Sequence, residues 1–304
     1  MNFSVDALAM PLAALAAVVL DRLLGEPRRW HPLVGFGNLA SALEKKLNNR
    51  RISSGLLAWL VVVGPWVGLA FWLRPHAPFA VDVALLYFAL GAQSLAEHAE
   101  AVARPLREGR LDEARIRVSW MVSRDTSQLD ESGVAKAGVE SVLENGNDAI
   151  FGTLFWFALL GGPGALLFRL ANTLDAMWGY RTERYNLFGR FAARFDDLLN
   201  WLPARLTALS YALLGQTRSA LTCWKAQAAG WESPNAGPVM SAGAGSLGVQ
   251  LGGAAIYHGR EEIRPPLGAG PAPLAADLGR AITLIRRSLW LWLAVFFMIG
   301  ILHA

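Results

Sequence analysis

Gly55-Leu-Leu-Ala-Trp-Leu-Val-Val-Val-Gly-Pro-Trp-Val-Gly-Leu-Ala-Phe-Trp-Leu73 is nineteen residues without a charge, with Arg51 before it and Arg74 directly after it. At ~1.5 Å per residue, a helix of this length crosses a hydrocarbon core of about 30 Å. Four further stretches read the same way. Ala7 to Leu20 runs on to Leu24 past Asp21 and Arg22; Ala77 to Ala96 is apolar apart from Asp82. Ala149 to Phe168 is uncharged, and so is Ser288 to Ala304, where Trp290 and Trp292 follow Arg286 and Arg287 as interfacial anchors. Any one of these would serve as a buried core helix. Five in 304 residues, 54% of them hydrophobic and 17% charged, argue against a soluble protein, which carries about 25% charged residues. The reading is an all-α, multi-pass integral membrane protein: four to five transmembrane helices, amphipathic or re-entrant helices, and polar loops, in one membrane-embedded domain over 1–304.

Charge sets the orientation. The loop from Arg22 to Ser54 holds seven Lys and Arg against Glu26 and Glu44, whereas Arg74 to Pro78 holds one Arg and one His. The positive-inside rule puts the first loop in the cytoplasm and the second outside. Cytoplasmic-side segments are then expected at about 22–54, 97–148 and 172–287. Met1 to Asp6 lacks a basic n-region, so the N-terminus reads as mature sequence and not as a signal peptide. Cys223 stands alone, which leaves no disulfide framework. The net charge of +4 comes without a basic run interleaved with aromatics, so nucleic acid is not an expected partner.

Within 97–148, Ala92 to Arg107 reads as an amphipathic helix, Asp112 to Val122 as a short second helix, and Asp130 as the cap of a third running to about Glu144. The 149–171 stretch is interrupted by Gly161-Gly-Pro-Gly164. One continuous span would carry 172–194 outside; a pair of half-helices would return it to the cytoplasm. Arg181, Arg184, Arg190 and Arg194 favour the return. Residues 230–272 are rich in Gly and Pro and read as a structured loop region before a helix at 273–303.

Polar clusters between apolar spans must be solvated, paired or used. Glu140 and Glu144 share a helical face that Asp148 extends. Hard cations take oxygen ligands, so this spacing suits Mg²⁺ or a Mg-nucleotide, and it equally suits a solvated helix end paired with arginines. Asn172, Asp175, Tyr180, Arg181, Glu183, Arg184 and Tyr185 form an alternating-charge patch whose planar arginines fit phosphate or carboxylate, or simply one another's acids. Asp196-Asp197 would add metal ligands or cap a helix. His31, before Pro32, reads as a turn residue. Gly243-Ala-Gly-Ser-Leu-Gly248 matches a dinucleotide fingerprint, but no strand precedes it and no βαβ pattern surrounds it; as a loop, Gly243 and Gly245 would offer backbone amides to an anion.

Taken in order, several motifs resemble the adenosylcobinamide-phosphate synthase family of cobalamin biosynthesis, the CbiB/CobD type. They are Asp21-Arg-Leu-Leu-Gly-Glu-Pro27 with Trp30-His-Pro32, Ser123-Arg-Asp-Thr126 with Glu140-Ser-Val-Leu-Glu-Asn145, Asn172-Thr-Leu-Asp175 with Gly179-Tyr-Arg-Thr-Glu-Arg-Tyr185, Asp196-Asp197 with Leu202-Pro-Ala-Arg-Leu206, and Ser233-Pro-Asn-Ala-Gly237. One departure is Gly146-Asn147-Asp148, where the family usually has a Thr-x-Asp stretch; the aspartate is kept. The resemblance implies an enzyme of the bacterial inner membrane that joins (R)-1-aminopropan-2-ol O-phosphate to adenosylcobyric acid with ATP and Mg²⁺, its site on the cytoplasmic side. Other pathway enzymes or a second copy would be further partners.

From residue type, Glu140, Glu144, Asp148, Asp196 and Asp197 are expected at the metal. Arg124, Asn145, Asn172, Tyr180, Arg181, Arg184, Tyr185, Asn235, Gly243 and Gly245 are expected at substrate or nucleotide, and Asp125, Asp175 and Glu183 as proton-handling groups. Trp178, Tyr180 and Trp201 would face the corrinoid. A regulator of the AmpE type and a transporter using Asp82 and Arg169 are the alternative classes.

Overall fold

A computed structural model describes residues 5–27, 32–257 and 260–303. Trp30 and His31 lie outside the described residues. Among the described residues the architecture is all-α apart from one two-stranded hairpin, and four helices are long and apolar enough to cross a membrane: Ala7–Leu24, Ile52–His76, Pro78–Arg107 and Ala275–Leu302. By its own packing the chain divides into two units, 1–92 with 148–200 and 293–304, and 93–147 with 201–292.

The first unit holds α1 (Val5–Leu24), α2 (Pro32–Leu47), α3 (Ile52–Leu73), α4 (Pro78–Ala89), α8 (Gly152–Leu160), α9 (Gly162–Trp178) and the start of α10 (Arg190–Leu214). Helix α9 is its centre, packed by α2, α3, α4 and α8. Its core joins Trp59, Val62 and Val63 of α3 to Phe168, Leu174 and Trp178 of α9 and to Phe188. Leu56, Leu57, Leu60, Val61, Leu69 and Trp72 on the outer face of α3 remain exposed. Apolar residues facing outward along a span are what a lipid solvent permits.

One feature here differs from the sequence reading, and a second agrees with it. The Arg22–Ser54 loop contains α2, because Phe36, Ala40 and Leu43 recur at helical spacing and give it a face to bury. The apolar run 149–171 is not a single span. A π-turn over Asn147–Phe151 leads into α8, and α8 folds back on α9 at Gly161, whose φ of +69° is open to glycine at little cost. Asp82 fixes this corner. Its carboxylate accepts the Gly162 N–H at 2.7 Å and both Nε and Nη2 of Arg74, at 2.9 and 3.1 Å. The intramembrane acid that suggested a transporter is thus a helix cap with its own counter-ion.

The second unit holds α5 (Ala92–Arg107), α6 (Leu111–Val118), α7 (Glu131–Gly146), the rest of α10, α11 (Thr217–Gln227), α12 (Ala236–Leu247), β1 (Gln250–Tyr257), β2 (Arg260–Gly268) and most of α13 (Ala275–Leu302). Asp130 caps α7 as expected, accepting the Gly133 N–H at 2.7 Å. The 230–272 stretch is not loop. Its small residues build α12, buried from end to end and packed on α11, α7 and β2, and the rest pairs as an antiparallel hairpin. A methyl group on Gly245 would sit 2.8 Å from the Ala220 backbone, so glycine lets two helices meet at backbone distance. The expected anion loop at Gly243 and Gly245 is therefore a helix core, its amides spent inside α12.

Candidate functional site

Three segments of the first unit bring carboxylates into one electrostatic neighbourhood. Asp148 comes from the π-turn, Asp175 from the last turn of α9, and Asp196 from α10. Two amides attend Asp196: Asn172 donates to Oδ1 at 3.4 Å and Asn200 to Oδ2 at 3.1 Å. Burial pushes the Asp175 carboxyl up to about 6, and the charges of Asp148 and Asp197 add to it. Asp196 is raised well above the usual carboxylate range by burial, then by Asp148 and Asp175, against the two amide hydrogen bonds. Burial also raises Asp197, with Arg194 and Arg181 opposing it. A π-turn inside a helix is a common device at functional sites, since it re-aims one residue at the cost of helical regularity.

The 179–189 segment next to this cluster is clasped to α2. Glu44 is 2% exposed and accepts Arg184 through both oxygens, at 3.0 and 2.5 Å. Asn48 donates to Glu44 at 2.6 Å and to the Arg184 carbonyl at 3.1 Å. Desolvation pushes the Glu44 carboxyl up, but the hydrogen bonds from Arg184 and Asn48 outweigh it and leave it below its ordinary value. Arg184, expected at a phosphate, is committed to this clasp, and the Arg184 guanidinium lies 5.4 Å from the Tyr185 ring. Glu183 pairs with Arg50 at 2.7 Å, both well exposed, and is not joined to the aspartates. Tyr180 and Arg181 are exposed. Trp178 is buried against Phe188, so it cannot touch a corrinoid.

In the second unit Glu140, expected at the metal, has its carboxylate taken up by cationic partners. It is buried between guanidiniums: Arg264 reaches its two oxygens at 3.0 and 3.1 Å, Arg124 donates to Oε2, and the Gly252 N–H donates to Oε1 at 2.8 Å. Arg124, expected at nucleotide, serves this buried pair and has a side chain 5% exposed. Asn145 donates to the Ser141 carbonyl of its own helix, and Asn235 accepts from Arg205. Glu144 is half-buried on α7. Asp125 is exposed, and hydrogen bonds from the Ser127 backbone and hydroxyl hold its carboxyl below the usual range, which makes it the weaker base of the expected pair.

Among the described residues, no three His, Cys, Asp or Glu side chains stand at coordinating geometry. Mg²⁺ does not demand such a cage. It keeps its waters and is held by one or two carboxylates together with substrate phosphates. Asp148 and Asp196 supply hard oxygen donors in a partly buried, mutually repelling pair, and that donor chemistry fits.

This is a multi-pass, all-α membrane protein with a carboxylate cluster on its central helices. The chain belongs to the CobD/CbiB family: the sequence profile described as "CobD/Cbib protein" matches residues 14–285. It is 56% identical to "Cobalamin biosynthesis protein CobD" of Chromobacterium violaceum, over 98% of this chain and 99% of that one. It is 55% identical to the protein of the same name from Stutzerimonas stutzeri, over 96% and 99%. It is 38% identical to "Cobalamin biosynthesis protein CbiB" of Salmonella choleraesuis, over 94% and 96%. These matches support a role in cobalamin biosynthesis. No solved structure matches the chain.

Proposed function

We propose that the protein is an ATP-dependent carbon–nitrogen ligase of the bacterial inner membrane. It would join a propionate carboxylate of adenosylcobyric acid to (R)-1-aminopropan-2-ol O-phosphate, giving adenosylcobinamide phosphate on the cytoplasmic side. The observation that carries this reading, beside family membership, is the meeting of Asp148, Asp175 and Asp196 from three separate segments.

A carboxylate does not condense with an amine unaided. Transfer of the ATP γ-phosphoryl group to the propionate forms an acyl phosphate and releases ADP. The amine then attacks the acyl carbon, phosphate leaves, and the ammonium proton must go to a base. Asp175 suits that last task, since a carboxyl raised to about 6 is a stronger base than an ordinary one and is still largely ionised at pH 7. Mg²⁺, held by Asp148 and Asp196, would offset charge on the phosphate oxygens. Exposed Arg181 is the arginine of the segment best placed for a phosphate, now that Arg184 serves Glu44.

The test is amide formation by the detergent-solubilised protein given both substrates, Mg²⁺ and ATP, with product read by mass spectrometry and ADP release followed in parallel. ATP-dependent product from the parent, lost in Asp175→Asn, is the expected result. Well-folded protein that makes no product, with or without other enzymes of the pathway, would reject the ligase reading.

A further inference from the structure

From Trp201 onward, α10 carries its polar residues inward and its apolar residues outward. Thr207 is fully buried and donates to Asn147 Oδ1 at 3.0 Å. Ser210 accepts the Trp292 indole N–H at 2.9 Å, and the Tyr211 hydroxyl donates to the Leu143 carbonyl at 3.2 Å. The opposite face shows Trp201 54%, Leu202 44%, Leu209 42% and Leu213 58% exposed, at steps that keep them on one side of the helix. A helix that faces water has the reverse arrangement.

The one charge on this face is turned away from it. The Arg205 guanidinium donates to the Trp201 carbonyl, to Asn235 and to the Pro234 carbonyl, and lies 4.4 Å from the Trp201 ring. Its stem is left to cover apolar surface. After Arg205 the uncharged run lasts from Leu206 to Gly215, only ~15 Å of helix, half of a hydrocarbon core. Exposed Gln216, Thr217 and Arg218 follow. The run is too short to cross and ends in groups that do not belong at mid-bilayer.

We propose that the Trp201–Leu213 face of α10 lies in the plane of the membrane, its leucines in lipid at the boundary between headgroups and acyl chains. Arg218 and Lys225, exposed on α11, complement anionic headgroups at that level. The inference rests on the four membrane-crossing helices and is independent of the ligase reading.

The test uses the full chain in nanodiscs containing phosphatidylglycerol. A nitroxide is placed by Leu202→Cys, Leu209→Cys or Leu213→Cys, and collisions with oxygen and with a water-soluble nickel chelate are compared. All three positions are exposed, so the fold is not at risk, and buried Cys223 stays in place with the unsubstituted chain as background. Leu60→Cys on α3 is the lipid reference and Asp112→Cys, whose parent side chain is 91% exposed, the water reference. The expected oxygen-to-nickel ratio at all three positions matches that at 60 and exceeds that at 112 several-fold. A ratio equal to that at 112 overturns the proposal. So does low access to both reagents with spin–spin broadening, which would assign the face to a second copy of the chain.

Discussion

Asp175 concentrates the chemistry of the first unit in one carboxyl. Its ordinary value of 3.8 rises to about 6 in the folded chain, so between those values the native state holds a proton that the unfolded state has lost. Stability conferred by that proton is fully present below about 4 and is lost as the pH rises through 6. Above 6 the native state carries a penalised charge. Asp175→Asn is neutral at every pH and removes the penalty. In metal-free buffer at pH 7.5 the variant is expected to be more stable than its parent by about 1–3 kcal/mol, from ~1.4 kcal/mol per pH unit. The advantage should fade towards pH 4, while amide synthesis falls by about 10²-fold or more. Paired thermal melts across that range check it. A constant difference between the two proteins at all pH values would take the raised carboxyl away from Asp175.

At the scale of elements, the hairpin depends on one helix residue. Glu140 receives Arg264 from β2, the Gly252 N–H from β1 and Arg124 from the segment before α7, all in a buried place. Gly252 sits at the bulge where the register shifts between Leu251 and Gly253, with φ +77°, which turns its N–H toward the carboxylate. Removing one member of a buried charge group leaves the others unpaired, at a cost of about 3–5 kcal/mol. Glu140→Ala is therefore expected to lower stability by that order and to lose hydrogen-exchange protection over 250–268 before α3 or α9. Unchanged protection in the hairpin would show that pairing between β1 and β2 alone holds it. The hairpin also marks where sequence reasoning ran out. Gly252 and Gly253 look like loop residues, because a bulge and a bend share the same glycine signal. Glu140 and Glu144 share a helical face at metal-ligand spacing, and nothing local in the sequence reveals that Arg264, more than a hundred residues on, neutralises one of them. By contrast α3, α5, α7 and α13 were legible, since length, charge-free runs and the Asp130 cap are local signals.

For the whole molecule, the decisive signals were the ones that tertiary packing cannot rewrite. A nineteen-residue uncharged run must be buried or in lipid, and Asn172 to Tyr185 kept its polar density whatever surrounded it. What could not be read was which acids meet: Asp148, Asp175 and Asp196 come together only because α8 and α9 double back at Gly161. That convergence predicts how the protein answers a ligand. Anything bound by the native state alone stabilises it by RT ln(1 + [L]/Kd), about 2.7 kcal/mol at a hundredfold excess over Kd. Mg²⁺ with ATP should therefore raise the melting temperature of the parent. Asp196→Asn removes a charge from a desolvated group that neighbouring carboxylates repel, so its ligand-free melting temperature should rise, while in Asp148→Asn and Asp196→Asn alike the increment from Mg²⁺ and ATP should largely disappear. In Asp196→Asn the two effects have opposite signs, which separates loss of a ligand from general damage to the fold. An undiminished increment in both variants would move the metal away from these carboxylates and leave the cluster to proton handling alone.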